Sequence, residues 1–193
     1  MTQTAKAVFQ NGSDASAIAA INPSIRYLRI EINGRVLLLA LGYVDAHPLG
    51  PVEVWYSSQG EVLRLQNGHV VGLIGSDVEW RQGRLSTMPT WPADNISVST
   101  YSRIRDVMPG YRFGILDQLS IRSINAPSQS NLVALPGQSL RWYEEHEANN
   151  KLPAARFALS NAHNKNTVVY GEQCISRALC LSWQQWPPAV PIR

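Results

Sequence analysis

The feature that most constrains this chain is a period-two alternation of apolar and polar residues, cut at short intervals by turn dipeptides. In residues 25–33, Leu28, Ile30 and Ile32 alternate with Arg29, Glu31 and Asn33. Such a pattern sends successive side chains to opposite faces of a strand, one face buried and the other solvated. Asn33-Gly34 follows, the strongest short-range hairpin signal. Residues 36–41 are apolar on both faces, which marks a central strand. Strands are then expected over Val52–Ser57, 61–66, His69–Ile74, 77–80 and 84–85. The turns between them are Ser58-Gln59-Gly60, Asn67-Gly68, Gly75-Ser76 and Gln82-Gly83. Hairpins at roughly 8–12 residue spacing belong to sandwiches and barrels.

The second half continues in the same way. Strands are expected over 96–104, 113–125, 139–147, Ala155–Ser160, 167–172 and 178–183. The two prolines around Trp91 put 88–92 in a loop or at an edge. Residues 127–137, rich in Ser, Asn and Pro, form a loop. Proline also makes 186–191 an extended tail. A helix is expected only over 14–21, with Ser13 as its cap and Pro23 beyond its end. The expected organisation is a frayed N-terminal segment, 1–22, followed by one all-β domain, 23–193. That domain is an antiparallel β-meander closing into a barrel-like or sandwich body.

Composition narrows the function classes. Charged residues are only 16% of the 193, against 6 Trp, 7 Tyr, 13 Gly and 12 Pro. Lys and Arg exceed Asp and Glu by only 17 to 14, and no basic run exceeds two residues. A nucleic-acid binder concentrates its excess charge, so no nucleic-acid partner is expected. No stretch approaches the ~18 apolar residues of a membrane-spanning helix. Cys174 and Cys180 lie six apart, too few and too wrongly spaced for a structural zinc site. They suit facing positions across a hairpin that turns at Ser176-Arg177-Ala178. A disulfide there implies an oxidising compartment; two reduced, buried cysteines are the alternative.

Residues 54–80 carry a family resemblance. They contain Val-Trp-Tyr-Ser-Ser-Gln-Gly-Glu-Val-Leu-Arg-Leu-Gln-Asn-Gly-His-Val-Val-Gly-Leu-Ile-Gly. This resembles the YjbF/GfcB family of capsule and exopolysaccharide lipoproteins. Gly137-Gln-Ser-Leu-Arg-Trp-Tyr-Glu-Glu is similar to that family's late strand. Residues 166–172 and Ser182-Trp-Gln-Gln-Trp-Pro-Pro are similar to its terminal hairpin and close. Asn67-Gly68-His69 stands where the family has Asn-Gly-Arg. The resemblance runs in order over residues 20 to 190. It implies a compact all-β, barrel-like fold and export to the periplasm, with outer-membrane association through a lipidated cysteine upstream of these residues. It also implies a role in assembling or secreting a capsule-type polysaccharide beside other envelope components. It implies no catalytic residues.

Asp77 and Glu79 would share a strand face at about 7 Å, a glycosidase-like separation; a solvated edge strand explains the same pattern. Glu144, Glu145 and Glu147 form an acidic group that a solvated face also explains. His47, His69, His146 and His163 lack the spacings of a metal site. No cofactor, metal or catalytic residue is therefore expected, and the chain is read as a non-enzyme. The aromatic residues are the stronger candidates. Trp55, Tyr56, Trp91, Trp142, Tyr143, Trp183 and Trp186 are the expected glycan- or partner-binding set, because a sugar's C–H face lies well on an aromatic ring. In the pairs Trp55-Tyr56 and Trp142-Tyr143 the members must face opposite ways, one to the core and one outward. Trp91 and Trp186, flanked by proline, are expected to be the most exposed. The competing expectations are a polysaccharide-modifying enzyme that uses those carboxylates and a purely structural subunit, the latter as a homodimer.

Overall fold

A computed structural model describes residues 21–93, 96–161 and 166–188. The helix expected over 14–21 lies almost wholly outside these residues, as do His163 and the end of the tail. Twelve strands follow one another: β1 (Tyr27–Ile32), β2 (Arg35–Asp45), β3 (Val52–Ser57), β4 (Val62–Gln66), β5 (His69–Ile74), β6 (Glu79–Leu85), β7 (Val98–Met108), β8 (Arg112–Ile124), β9 (Arg141–Glu147), β10 (Ala155–Ser160), β11 (Thr167–Cys174) and β12 (Cys180–Trp186). Each pairs antiparallel with its sequence neighbours, and β1 pairs with β12, so the meander closes into a barrel. Closure decides between the barrel and the sandwich that the sequence left open, and it removes the free edges of an open sheet.

The turn chemistry explains the meander. Asn33-Gly34 and Asn67-Gly68 both have positive φ at both residues, as a two-residue hairpin turn of the right twist requires. Gln82-Gly83, read as a turn, is instead the middle of the continuous strand β6. Gly83 is needed there for a different reason: a Cβ would sit 3.1 Å from the Cα of Val71, so the neighbouring backbone leaves no room for a side chain. One strand thus replaces the two expected over 77–80 and 84–85. Register shifts at five pairings, including Leu41/Tyr43 and Arg105/Val107, supply the bends that closure needs.

A twelve-stranded barrel encloses more width than side chains easily fill. Here β5 and β11 meet across the interior. The Val70 N–H donates to Gln173 Oε1 at 3.0 Å, and the Trp80 indole N–H donates to the Ile175 carbonyl at 2.9 Å. On one side of this contact Leu28, Ile30, Leu39, Trp55, Leu63, Leu181 and Trp183 form an apolar core. On the other side the interior carries charge. The segment 125–140 lies against the outside of β9–β12 and covers a second small core of Trp142, Ala158 and Tyr170. It is fastened by Val133 N–H to Gln184 Oε1 (2.9 Å), Gln184 Nε2 to the Val133 carbonyl (2.8 Å) and Asn131 N–H to the Tyr170 hydroxyl (2.9 Å). Cys174 and Cys180 are joined by a disulfide at the head of the β11–β12 hairpin.

The outer face of the barrel carries ion pairs such as Arg26–Glu53, Arg84–Asp106 and Arg122–Glu144. That is the reverse of a lipid-embedded barrel, which turns an apolar band outward. Among the described residues no helix is long and apolar enough to cross a membrane.

Candidate functional site

The charged half of the interior is built from inward positions on β5–β9. Register sets Arg103 opposite Asp117 and Ile121 opposite Glu145. Asp117, fully buried, accepts from Arg103 Nε and Nη2 at 3.1 Å each, and from Arg105 Nε at 2.7 Å and Nη2 at 3.2 Å. Glu145 accepts from the Tyr101 hydroxyl and lies 3.5 Å from Arg103 Nη1 and 3.3 Å from His69 Nε2. His69 Nδ1 donates to the Asn67 carbonyl at 3.2 Å. The Arg103 and Arg105 guanidinium carbons lie 4.6 and 5.4 Å from the Trp80 ring centroid.

Burial pushes the Glu145 carboxyl up, but His69, Arg103 and Tyr101 outweigh it and leave Glu145 below its ordinary value. The Tyr101 hydroxyl is pushed well above its ordinary value, by burial first and the Glu145 charge second. Two guanidiniums, two carboxylates and a phenol satisfy one another here. Such a network is costly to break and adds uniqueness to a core. Every member is sealed in the core, so the arrangement organises the barrel and offers no substrate a way in.

The expected aromatic set divides. Trp55 and Tyr143 turn inward and are 1% exposed; Trp183 is 2% exposed in the same core. Trp142 turns outward, as pairing with an inward Tyr143 demands, yet the 125–140 segment buries it and its indole N–H donates to the Gly137 carbonyl at 2.8 Å. Trp186, expected in an exposed tail, is instead the last residue of β12, paired with Tyr27 and buried. Trp91, also expected outside, inserts into the end of the barrel. Its ring stacks on His69 at 5.3 Å and packs near Tyr143 and Phe157. The following residue anchors it, through the Tyr143 hydroxyl donating to the Pro92 carbonyl at 3.0 Å. Burying a large apolar ring wins over display, and hairpin prolines do not prevent it.

The carboxylates read as candidates also separate. Asp77 lies in the bend before β6 and not on its face. Glu79 is occupied by the Gly75 N–H at 2.8 Å and Arg81 Nε at 2.9 Å. Glu144 faces out and binds Arg122 and His146, while Glu145 and Glu147 are buried, so the three share no solvated face. Among the described residues no group of three or more His, Cys, Asp or Glu is placed to hold a metal ion.

Tyr56 alone of the expected set presents its ring to solvent, at 41% exposure. Beside it on β2 stands Tyr43, 49% exposed, with the ring centroids 6.3 Å apart. Gly42 makes this possible: a Cβ there would stand 2.5 Å from the Tyr56 ring, so the ring lies directly over the backbone. The register shift between Leu41 and Tyr43 then places Tyr43 opposite Val54, in a row with Arg64. Arg64 Nη2 reaches Asp45 Oδ2 at 3.3 Å at the edge of the pair. The neighbouring Tyr43 hydroxyl, followed by burial, raises the Tyr56 hydroxyl above its ordinary value. Two accessible rings flanked by a carboxylate and a guanidinium thus share one outer face. Sequence reading found Tyr56 and missed Tyr43, Asp45 and Arg64. The available signal was Gly42, an isolated glycine in a strand and hence a mark of a bulge or close approach.

The fold and this face together define a closed, up-and-down β-barrel with a filled interior and an aromatic outer patch. No family model matches the chain, and no curated protein matches it. Among solved structures it is similar to the hypothetical lipoprotein YmcC from Escherichia coli (K12), with a TM-score of 0.62 and 14% identity over 92% of this chain and 89% of that one. The likeness establishes that the two share the fold.

Proposed function

We propose that this chain is a non-enzymatic, exported accessory protein in capsule or exopolysaccharide assembly or secretion, and that it contacts glycan through the Tyr43–Tyr56 face. The observation that carries the reading is the pair of accessible tyrosine rings with Asp45 and Arg64 beside them. A pyranose lays its C–H face on such rings and hydrogen-bonds its hydroxyls to the flanking carboxylate and guanidinium. Three further points support the setting. The Cys174–Cys180 disulfide belongs to an oxidising compartment. The similar structure YmcC is described as a lipoprotein. The sequence motifs resemble those of envelope polysaccharide lipoproteins.

The test is calorimetric titration with the envelope polysaccharide of the strain that encodes the chain. Wild type should bind. Tyr43→Ala/Tyr56→Ala should weaken binding roughly tenfold or more, taking each aromatic contact at about 0.5–1.5 kcal/mol. Both residues are exposed, so the barrel should be unaffected. No binding by wild type, or equal binding by the double variant, would reject the reading. Release of new reducing ends during the titration would favour the polysaccharide-modifying alternative.

A further inference from the structure

A polar pocket of about 190 Å³ opens on the outer wall, where the 125–140 segment meets β1, β11 and β12. It is lined chiefly by Glu31, Asn33, Asn131, Glu172, Cys180 and Ser182. Strand register builds it. Glu31 on β1 stands opposite Ser182 on β12, and Ser182 stands opposite Glu172 on β11. Glu31 and Ser182 face outward, because their neighbours Ile30, Ile32, Leu181 and Trp183 belong to the core. Ser182 is therefore a floor between two carboxylates. Asn131 roofs it: its side-chain Nδ2 donates to Ser182 Oγ at 3.3 Å, and its backbone N–H donates to the Tyr170 hydroxyl at 2.9 Å. The Asn33-Gly34 turn and the Cys174–Cys180 disulfide close one end. Each wall is held by a turn, a disulfide or a hydrogen bond, so the pocket is formed before anything enters it.

The hydrogen-bond accounting decides what it suits. Glu172 is occupied, accepting from the Tyr170 hydroxyl at 2.5 Å and pairing with Arg156 Nη2 at 2.5 Å. Glu31 is not: its nearest cation, Arg29 Nη2, lies 3.6 Å from one oxygen, and the other meets no donor among the described residues. Ser182 is only 4% exposed, and its oxygen accepts from Asn131. Among the described residues the Ser182 hydroxyl meets no acceptor for its own proton, an unfavourable state for a buried donor. No cation lines the pocket. A free carboxylate oxygen, a free hydroxyl donor and two side-chain amides suit a ligand that both donates and accepts through hydroxyls. An anionic ligand would set its charge against Glu31 and Glu172. The volume is room for about six waters at ~30 Å³ each, the scale of one sugar ring.

We propose that this pocket holds a single uncharged hexose unit of a glycan. Its hydroxyls donate to Glu31, accept from Ser182 and bond the amides of Asn33 and Asn131. The inference rests on the reading of the chain as a glycan binder and adds a second contact that selects the sugar. Tyr56 stands opposite Ala40, and Ala40 opposite Tyr27, four residues along β1 from Glu31. Two strands across and four residues along is about 16 Å at ordinary strand spacings. One glycan chain can therefore lie on the tyrosine rings and place a unit in the pocket. The rings take any C–H face, whereas the pocket rejects acidic units.

Side-chain amide NMR tests it, with the methyl glycosides of glucose, galactose and N-acetylglucosamine as neutral probes and glucuronate as the acidic one. The Asn33 and Asn131 amide signals should shift with at least one neutral glycoside and stay in place with glucuronate at the same concentration. Glu31→Ala should abolish the shift. Glu31 is part-exposed and only loosely paired, so the variant's near-UV circular dichroism should match wild type. The shift should persist in Tyr43→Ala/Tyr56→Ala, which separates this pocket from the tyrosine face. Amides unmoved by all three neutral glycosides, an equal response to glucuronate, or an undiminished shift in Glu31→Ala would overturn the proposal. Tyrosine rings that still respond to the strain's polysaccharide would then leave the glycan reading standing without the pocket.

Discussion

Glu145 and Tyr101 share a proton-rich contact in the interior, and their titrations limit the molecule from both sides. Glu145 is held below its ordinary value of 4.5 because the attraction of His69, Arg103 and Tyr101 exceeds the effect of burial. In the folded chain it therefore binds a proton less readily than in the unfolded one. The stability it contributes is present above pH 4.5 and is lost as the pH falls below that value through the folded-state pKa. Burial raises Glu144 and Glu147 as well, but it is outweighed by Arg122 and His146 together at Glu144 and by the Lys151 and Asn149 groups together at Glu147, so both act in the same direction. Tyr101 is raised, so its contribution is present below pH 10.0 and is lost as the pH rises through its folded-state value. Denaturant midpoints measured across pH should form a plateau with both limbs. Tyr101→Phe should flatten the alkaline limb and Glu145→Gln should shrink the acid one. Limbs unchanged in both variants would show that this pair does not set them.

Nothing in the sequence pattern announced this cluster. Arg103, Arg105, Asp117 and Glu145 read locally as the polar residues of a half-solvated strand. Only the register of three strands, β7, β8 and β9, brings them together inside. A residue's partners in a sheet lie far away in sequence, so a single-sequence reading assigns charge to the surface by default. Tyr56 was legible because Trp55 had to take the opposite face. Which of the two faced the core depended on packing that local alternation does not contain.

At the scale of elements, strand positions were legible wherever a turn had its own chemistry. The Asn-Gly hairpins fell where expected, since positive φ at two successive residues needs those side chains. Gln82-Gly83 misled because a glycine also serves close backbone approach. The 125–140 segment was legible as a loop but not as a cover. It hides the outward Trp142 and converts an expected binding residue into part of a small second core. Its attachment leans on Gln184, which both accepts from and donates to the backbone of Val133. Gln184→Ala leaves those two backbone groups unpaired and should cost about 1–3 kcal/mol. Limited proteolysis should then cut within 125–140 before the barrel strands. Unaltered resistance there would mean that packing on Trp142 and Tyr170 holds the segment alone.

At the scale of the whole molecule, the barrel has two kinds of wall. Its interior is spent on filling a wide twelve-stranded circuit, apolar on one side of the β5–β11 contact and ion-paired on the other. Its exterior carries ion pairs such as Arg26–Glu53 and Arg122–Glu144 together with the Tyr43–Tyr56 patch. All-β class and near-complete strand order followed from alternation and turns. Closure was expected as one of two bodies, barrel-like or sandwich, and the choice between them stayed open because the pairing of β1 with β12 joins the two ends of the strand order, where no local signal speaks. The same separation of scales explains the sites: chemistry that depends on one strand could be read, and chemistry that depends on several could not.

Which aromatic residues meet glycan decides the role of the Tyr43–Tyr56 face most directly. Side-chain NMR of the protein titrated with the polysaccharide of its own strain resolves tyrosine rings and tryptophan indoles in one experiment. The rings of Tyr43 and Tyr56 should shift while the indoles of Trp55, Trp80, Trp142 and Trp183 stay in place. Moving indoles beside unmoved tyrosines would contradict it.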